Sequence, residues 1–321
     1  MESQKVNAET TIGGGPRAAS VLPAHIALLM ANMCWGFMSP VSKSVLLSGT
    51  LSPLALSAVR IGAAAVIFLL VTPLLPSSVA PRERIARSDW SKIFIASLLM
   101  ISANQGLYIL GVGYTNPVDA SVMSSLTPMI TMVLAAIVLR FPITRLKLTG
   151  VVIGLTGVII LVTNQSADTA LASSPLLGDS LCLAAQVCAA VYYVMFSGLI
   201  RRYSPVTLMK WMFVLSAVTY VPFCIPELLK VDYAALPSGV WFGIAYIVFF
   251  GTAFSYLTLP FAQRCLRPTV VSIYNYVQPV CAALMALILG VGDFGPVKIA
   301  ATALIFAGVW FVSRNSPGRS T

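Results

Sequence analysis

VDASVMSSLTPMITMVLAAIVL occupies residues 118–139, and TVVSIYNYVQPVCAALMALILG occupies residues 269–290. Asp119 is the only charge in either stretch. A helix of about 20 apolar residues crosses the hydrocarbon of a bilayer, so each stretch is long enough to span. Each places a proline eleven positions in, with hydroxyl or amide side chains just before it. Pro128 and Pro279 are 151 residues apart, and that offset also pairs Trp90 with Trp241, Ser121 with Ser272, Lys147 with Lys298, and Gly157-Val158 with Gly308-Val309. No gap is needed from Trp90 to Val162. Upstream, an offset of 152 pairs Ser52-Pro53 and Leu56 with Ser204-Pro205 and Leu208.

The rest of the chain has the same character. Of 321 residues, 58% are hydrophobic and 9% are charged, and the mean hydropathy is +0.90. Soluble domains carry about 25% charged residues. This composition excludes an ordinary soluble enzyme, a disordered chain and a secreted disulfide scaffold, and it predicts a polytopic membrane protein. Apolar runs between charge and Pro/Gly punctuation predict ten spans: 24–47, 53–75, 90–113, 117–139, 146–163, 176–199, 205–225, 238–260, 268–290 and 296–313. They lack the alternation of a barrel wall. Residues 1–22 lack a signal-peptide pattern and read as a flexible cytoplasmic tail. The expected divisions are a first five-helix repeat at 23–163, an extracytoplasmic linker at 164–177, a second repeat at 178–313 and a cytoplasmic tail at 314–321.

Charge sets the expected orientation. One set of span ends carries fifteen basic residues, including Arg82, Arg84, Arg87, Lys92, Arg140, Arg145, Lys147, Arg201 and Arg202; the other carries only Lys43, Lys230 and Lys298. The positive-inside rule therefore predicts that both termini are cytoplasmic. The net charge of +10 then reports orientation and needs no nucleic acid. Five spans per repeat is an odd number, so the two copies enter the membrane in opposite directions. That is the inverted-repeat plan of many secondary transporters. The fold class is an all-α membrane protein of ten transmembrane helices in two inverted five-helix repeats.

Cys34-Trp35-Gly36 followed by Lys43, the run Thr115 to Pro128, the Gly-rich fifth span, and their echo from Leu266 to Val309 resemble the EamA-like branch of the drug/metabolite transporter superfamily. The resemblance covers the chain except its tails. It implies ten helices, two EamA repeats and movement of small metabolites or drugs. Members of that branch often carry an acid after the fourth span, whereas here Phe141-Pro142 follows Arg140.

Candidate site residues follow from intramembrane polarity. A proline inside a helix frees the carbonyl four residues back: that of Ser124 for Pro128, and that of Asn275 for Pro279. Both prolines are expected to break or gate their helices. Ser121, Ser124 and Pro128 share one helical face, as do Ser272, Asn275 and Pro279. These clusters fit either cavity lining or helix–helix hydrogen bonding. The candidate substrate-binding residues are Ser124 and Thr127 in the fourth span and Tyr274, Asn275 and Gln278 in the ninth. Asn104 and Tyr108 come from the third, Gln186 and Tyr193 from the sixth, and Trp35 from the first beside Asn32. Arg60 lies too deep in the second span to snorkel easily; it fits substrate binding, or pairing with a carbonyl or with Asp119. Lys43 fits a gate or an interfacial anchor, and Lys210 is placed to snorkel.

His25 is the only histidine, and the chain holds no Walker A run, GxSxG or HExxH, so no enzyme chemistry, metal or cofactor is expected. The cysteines read as small apolar fillers. The expectation is a secondary transporter in the cytoplasmic membrane moving a small polar or zwitterionic metabolite, with export the expected direction. Its partners would be that small molecule and the lipid bilayer, in a monomer or homodimer. Proton-coupled multidrug efflux is the alternative within transport; a polytopic receptor or membrane-complex subunit is the alternative of another class.

Overall fold

A computed structural model describes residues 21–77, 80–138, 140, 144–163, 173–266, 274–292 and 295–313. The expected N-terminal tail up to residue 20, the C-terminal tail, most of the linker, Ser272 and Phe141-Pro142 lie outside these described residues, and Val21 and Leu22 belong to the first helix rather than to the tail.

Every regular element among the described residues is helical. In chain order, α1 is Val21–Leu47, α2 Pro53–Val71, α3 Trp90–Ser97, α4 Asn104–Tyr114, α5 Pro117–Ser124, α6 Thr127–Val138 and α7 Arg145–Thr163. They are followed by α8 Pro175–Met195, α9 Ser197–Arg202, α10 Pro205–Leu229, α11 Ser238–Val248, α12 Ser255–Cys265, α13 Val277–Leu289 and α14 Pro296–Ser313. Among the described residues, seven helical stretches are long and apolar enough to cross a membrane, and α13 and α14 are shorter apolar helices. Phe223, Leu229, Phe242 and Ile288 stand exposed on the outside, a surface suited to lipid rather than water.

Local chemistry explains the starts. Ser52 caps α2 by accepting from the Ala55 N–H, and Ser204 caps α10 by accepting from the Thr207 N–H. Each is followed by a proline at the first helical position, where the missing N–H costs nothing. Asn116 caps α5 through the Val118 N–H, again ahead of a proline.

A π-helical turn at Leu98–Ala103 joins α3 to α4, and another at Phe249–Phe254 joins α11 to α12. These turns stand 151 residues apart. The packing exchanges in the same way: α1 packs on α12 and α13, while α8 packs on α4, α5 and α6. α2 lies against α10, and α7 against α14. At the last crossing a Cβ on Gly157 would stand 2.8 Å from the Ala301 carbonyl oxygen, and one on Gly308 would stand 2.6 Å from that of Gly150. Only glycine permits this approach.

Pro128 and Pro279 do not interrupt continuous helices. The break comes earlier, at Ser125-Leu126 and at Asn275-Tyr276, so each proline sits in the first turn of the next helix. A first-turn proline lacks a donor that has no intrahelical use. Thr127 Oγ1 donates to the freed Ser124 carbonyl at 2.7 Å, and the Gln278 N–H donates to that of Asn275 at 3.2 Å. The sixth predicted span also divides: α8 stops at Met195 and α9 begins at Ser197.

Candidate functional site

The broken helices, α1, α2, α4, α8 and α12, with Met100 of the first π turn, line a cavity of about 600 Å³. Eleven of the sequence-predicted residues line it: Trp35, Arg60, Asn104, Tyr108, Ser124, Thr127, Pro128, Gln186, Tyr193, Asn275 and Gln278. Tyr274 and Pro279 do not. The Tyr274 hydroxyl bonds His25 Nδ1 at 2.8 Å, and its ring packs against the cluster of Ala24, Leu28, Ala262 and Leu266. Pro279 is buried within α13.

Hydrogen bonds fix the polar walls. Thr127 Oγ1 lies 2.7 Å from the side-chain amide of Gln186, which brings α6 against α8. Asn104 Nδ2 donates to the Ala185 carbonyl at 2.7 Å. Gln278 Nε2 donates to Asn32 Oδ1 at 2.8 Å, and Asn32 in turn donates to the Leu28 carbonyl of its own helix. That clamp draws α13 onto α1 so closely that a Cβ on Gly36 would meet both Cys281 Cβ and the Gln278 carbonyl at 2.6 Å. Several predicted residues therefore bridge helices and face the cavity at once.

The π turn at Phe249–Phe254 organises the charged end. A π turn displaces its carbonyls from the regular ladder and offers them to neighbours. Trp35 Nε1 and Arg60 Nη2 both donate to the Gly251 carbonyl, at 3.1 and 3.4 Å. Arg60 Nε donates to Thr252 Oγ1 at 2.7 Å. Arg60 is 2% exposed and makes no ion pair among the described residues. The alternative partner, Asp119, lies instead 3.2 Å from Lys298 Nζ.

Some lining residues escaped the candidate set. Tyr256 lines the cavity, packs edge-on against Trp35 with centroids 5.7 Å apart, and accepts from Gln105 Nε2 at 3.3 Å. Gln105 and Tyr256 are themselves separated by the repeat offset, so mapping each polar position by 151 would have found the tyrosine. Thr131 and Lys147 line the cavity further along. No lining residue among those described is Asp or Glu.

The cavity runs toward one end of the helices, where Ala135, Lys147, Leu266 and Val312 border it. The opposite end is packed. Lys43 is not an interfacial anchor: it is 1% exposed and donates to the Val112 and Gly113 carbonyls, which the end of α4 leaves without helical partners. Asp179 accepts from Thr115 Oγ1 at 2.6 Å, Ser39 donates to the Pro117 carbonyl, and the Asp119–Lys298 pair joins α5 to α14. On the cavity side, Lys210 lies over the Trp211 ring at 4.9 Å, and buried Asp89 receives Arg202 at 2.7 Å and the Tyr203 hydroxyl at 2.8 Å. That cluster docks the 80–89 segment on the start of α10.

The model of the EamA-like transporter family matches residues 22–163 and again 176–314. An uncharacterized transporter of Bacillus subtilis, YyaM, is 25% identical, covering 78% of this chain and 80% of its own length. An uncharacterized transporter of Archaeoglobus fulgidus is 27% identical over 83% of this chain and 90% of that one. A solved crystal structure aligns with a TM-score of 0.62 at 16% identity, over 92% of this chain and 96% of the other.

Proposed function

This chain belongs to the EamA-like transporter family, and on that premise we propose that it is a secondary transporter of a small polar or zwitterionic metabolite. Membrane-spanning helices and transport come with the family. The finer reading is of ten spans in two inverted repeats, 23–163 and 178–313, with both termini in the cytoplasm of a cell whose cytoplasmic membrane holds the protein.

One observation carries the reading. One cavity takes polar side chains from both halves, and its wall joins Gln105 to Tyr256, residues that correspond under the repeat offset. Inverted repeats place a site at their interface and expose it to each side in turn by rocking one half against the other. The cavity extends to the basic end and the opposite end is packed, so this conformation is open to the cytoplasm and loads from it. Export is the proposed direction, and the substrate gradient, not this conformation, would drive it. The lining offers no carboxylate to exchange a proton for a drug cation, so the metabolite reading is preferred to proton-coupled multidrug efflux.

Metabolite profiling of cells with and without the gene, followed by counterflow of the accumulating compound in proteoliposomes, tests the proposal. Trans-stimulated exchange supports it; no counterflow of any compound that the profiles distinguish would remove it.

A further inference from the structure

Arg60 is a fixed charge in the wall of a cavity without an acid. Its guanidinium has five N–H donors, of which Nε serves Thr252 and one on Nη2 serves Gly251. Both partners are neutral, and no other hydrogen bond to this guanidinium occurs among the described residues. A buried cation without a counter-charge is costly. Arg60 lines the cavity, so a ligand bound there can supply that charge. Lys147, half-buried toward the cavity's basic end, adds a second positive charge on the same path.

Gln105 supplies an independent constraint. Its Nε2 is used on the Tyr256 hydroxyl, while its Oε1 is buried with no partner among the described residues. An orphaned acceptor in a binding wall asks for a donor from the ligand. An ammonium would satisfy it in hydrogen-bond terms but would meet two cations and no carboxylate. A hydroxyl satisfies it without that repulsion. Trp35, Tyr193 and Tyr256 provide an aromatic surface for an apolar body.

We propose that the substrate of this cavity is a small organic acid of net charge −1, its carboxylate on Arg60 and a neutral donor such as a hydroxyl on Gln105, with an apolar body against the aromatic wall. The assignment rests on the reading of this cavity as the transport site, and it narrows the polar class to anions.

The test uses the full chain in lipid nanodiscs and four compounds on each of two skeletons, those of phenylalanine and leucine. On each skeleton the 2-hydroxy acid, the deaminated acid, the amino acid and the decarboxylated amine are titrated by calorimetry and by the shift in Tm. The hydroxy acid is expected to bind most tightly, the acid next, and the amine at least tenfold more weakly than either, as loss of a charge-assisted hydrogen bond entails. Arg60→Gln removes the preference for acids. Arg60→Lys keeps the preference with lower affinity, because it retains the charge but not the planar fork. Equal or tighter binding of the amino acid or the amine on both skeletons overturns the assignment, as does no binding of either acid at millimolar concentration. The wild-type series decides the matter even if Arg60→Gln does not fold. Counterflow of an amino acid or amine without acid binding would leave the transporter standing and remove only the anion.

Discussion

Asp119→Asn keeps the size of a buried side chain and removes its charge. Asp119 Oδ2 lies 3.2 Å from Lys298 Nζ, with side-chain exposures of 2% and 13% respectively. At that separation and an effective dielectric of about 20, the gross attraction is roughly 5 kcal/mol. Breaking one partner of a buried pair costs about 3–5 kcal/mol, and Lys298 reaches some solvent, which favours the lower end. Both groups rehydrate when the end separates, so the difference between packed and open states is about 1.5–3 kcal/mol. That moves the equilibrium toward the state open at this end by a factor of roughly 10 to 150. The assay places a cysteine at Ser121, one turn along α5 and buried at 2% exposure, in a chain whose six native cysteines are alanine. Labelling of intact cells by a membrane-impermeant maleimide then reads access from outside. The rate should rise about tenfold or more in Asp119→Asn, and similarly in Lys298→Met. Unchanged rates in both variants, with full labelling after denaturation, refute the view that this pair holds the outer end shut.

Gly308→Ala puts a Cβ 2.5 Å from the Gly154 nitrogen and 2.6 Å from the Gly150 carbonyl oxygen, so α7 and α14 must separate; a loss of about 1–3 kcal/mol should appear as a lower Tm in nanodiscs. Lys43→Met strands the Val112 and Gly113 carbonyls, costs about 1–3 kcal/mol, and should lower Tm without altering which probe compound binds; a shift in ligand preference contradicts its placement outside the cavity. Asp89→Asn weakens the anchor that Arg202 and Tyr203 share and should expose the 80–89 segment to proteolysis from the side proposed to be cytoplasmic, a change that gel analysis of digested inside-out vesicles detects.

The class of the protein and much of its cavity were legible because bilayer physics acts locally. Scarcity of charge marks the membrane, and intramembrane amides such as Asn104, Gln186 and Gln278 are costly unless they face inward. What local pattern cannot supply is the neighbour. A helix that is apolar all round has no stripe to say which side meets lipid and which meets protein. Hence Arg60 could be singled out, but its partners on a π turn 191 and 192 residues away could not. The π turns themselves lack a proline or glycine signature common to both. Lys43 and Lys298 looked alike as stray cations, and only packing distinguishes a helix-end cap from half of an ion pair. The prolines marked where the helices break, although the chain breaks two or three residues before them, and Thr127 and the Gln278 N–H use the carbonyls of Ser124 and Asn275. Tyr274 shared its segment with Asn275 yet bonds His25, because the chain breaks at Asn275-Tyr276 and helical spacing does not carry across it.

The central claim is that the cavity shared by the two halves is the site of transport. Counterflow of the profiled compound in proteoliposomes carrying wild type, Asn275→Ala or Gln278→Ala tests it most directly. Asn275 lines the cavity and makes no hydrogen bond through its side chain among the described residues, whereas Gln278 also holds Asn32. Both variants should insert normally, Gln278→Ala with a Tm lowered by the loss of one buried hydrogen bond, about 1–3 kcal/mol, and counterflow should vanish in each. Wild-type counterflow in both, at equal protein per liposome, would contradict the claim.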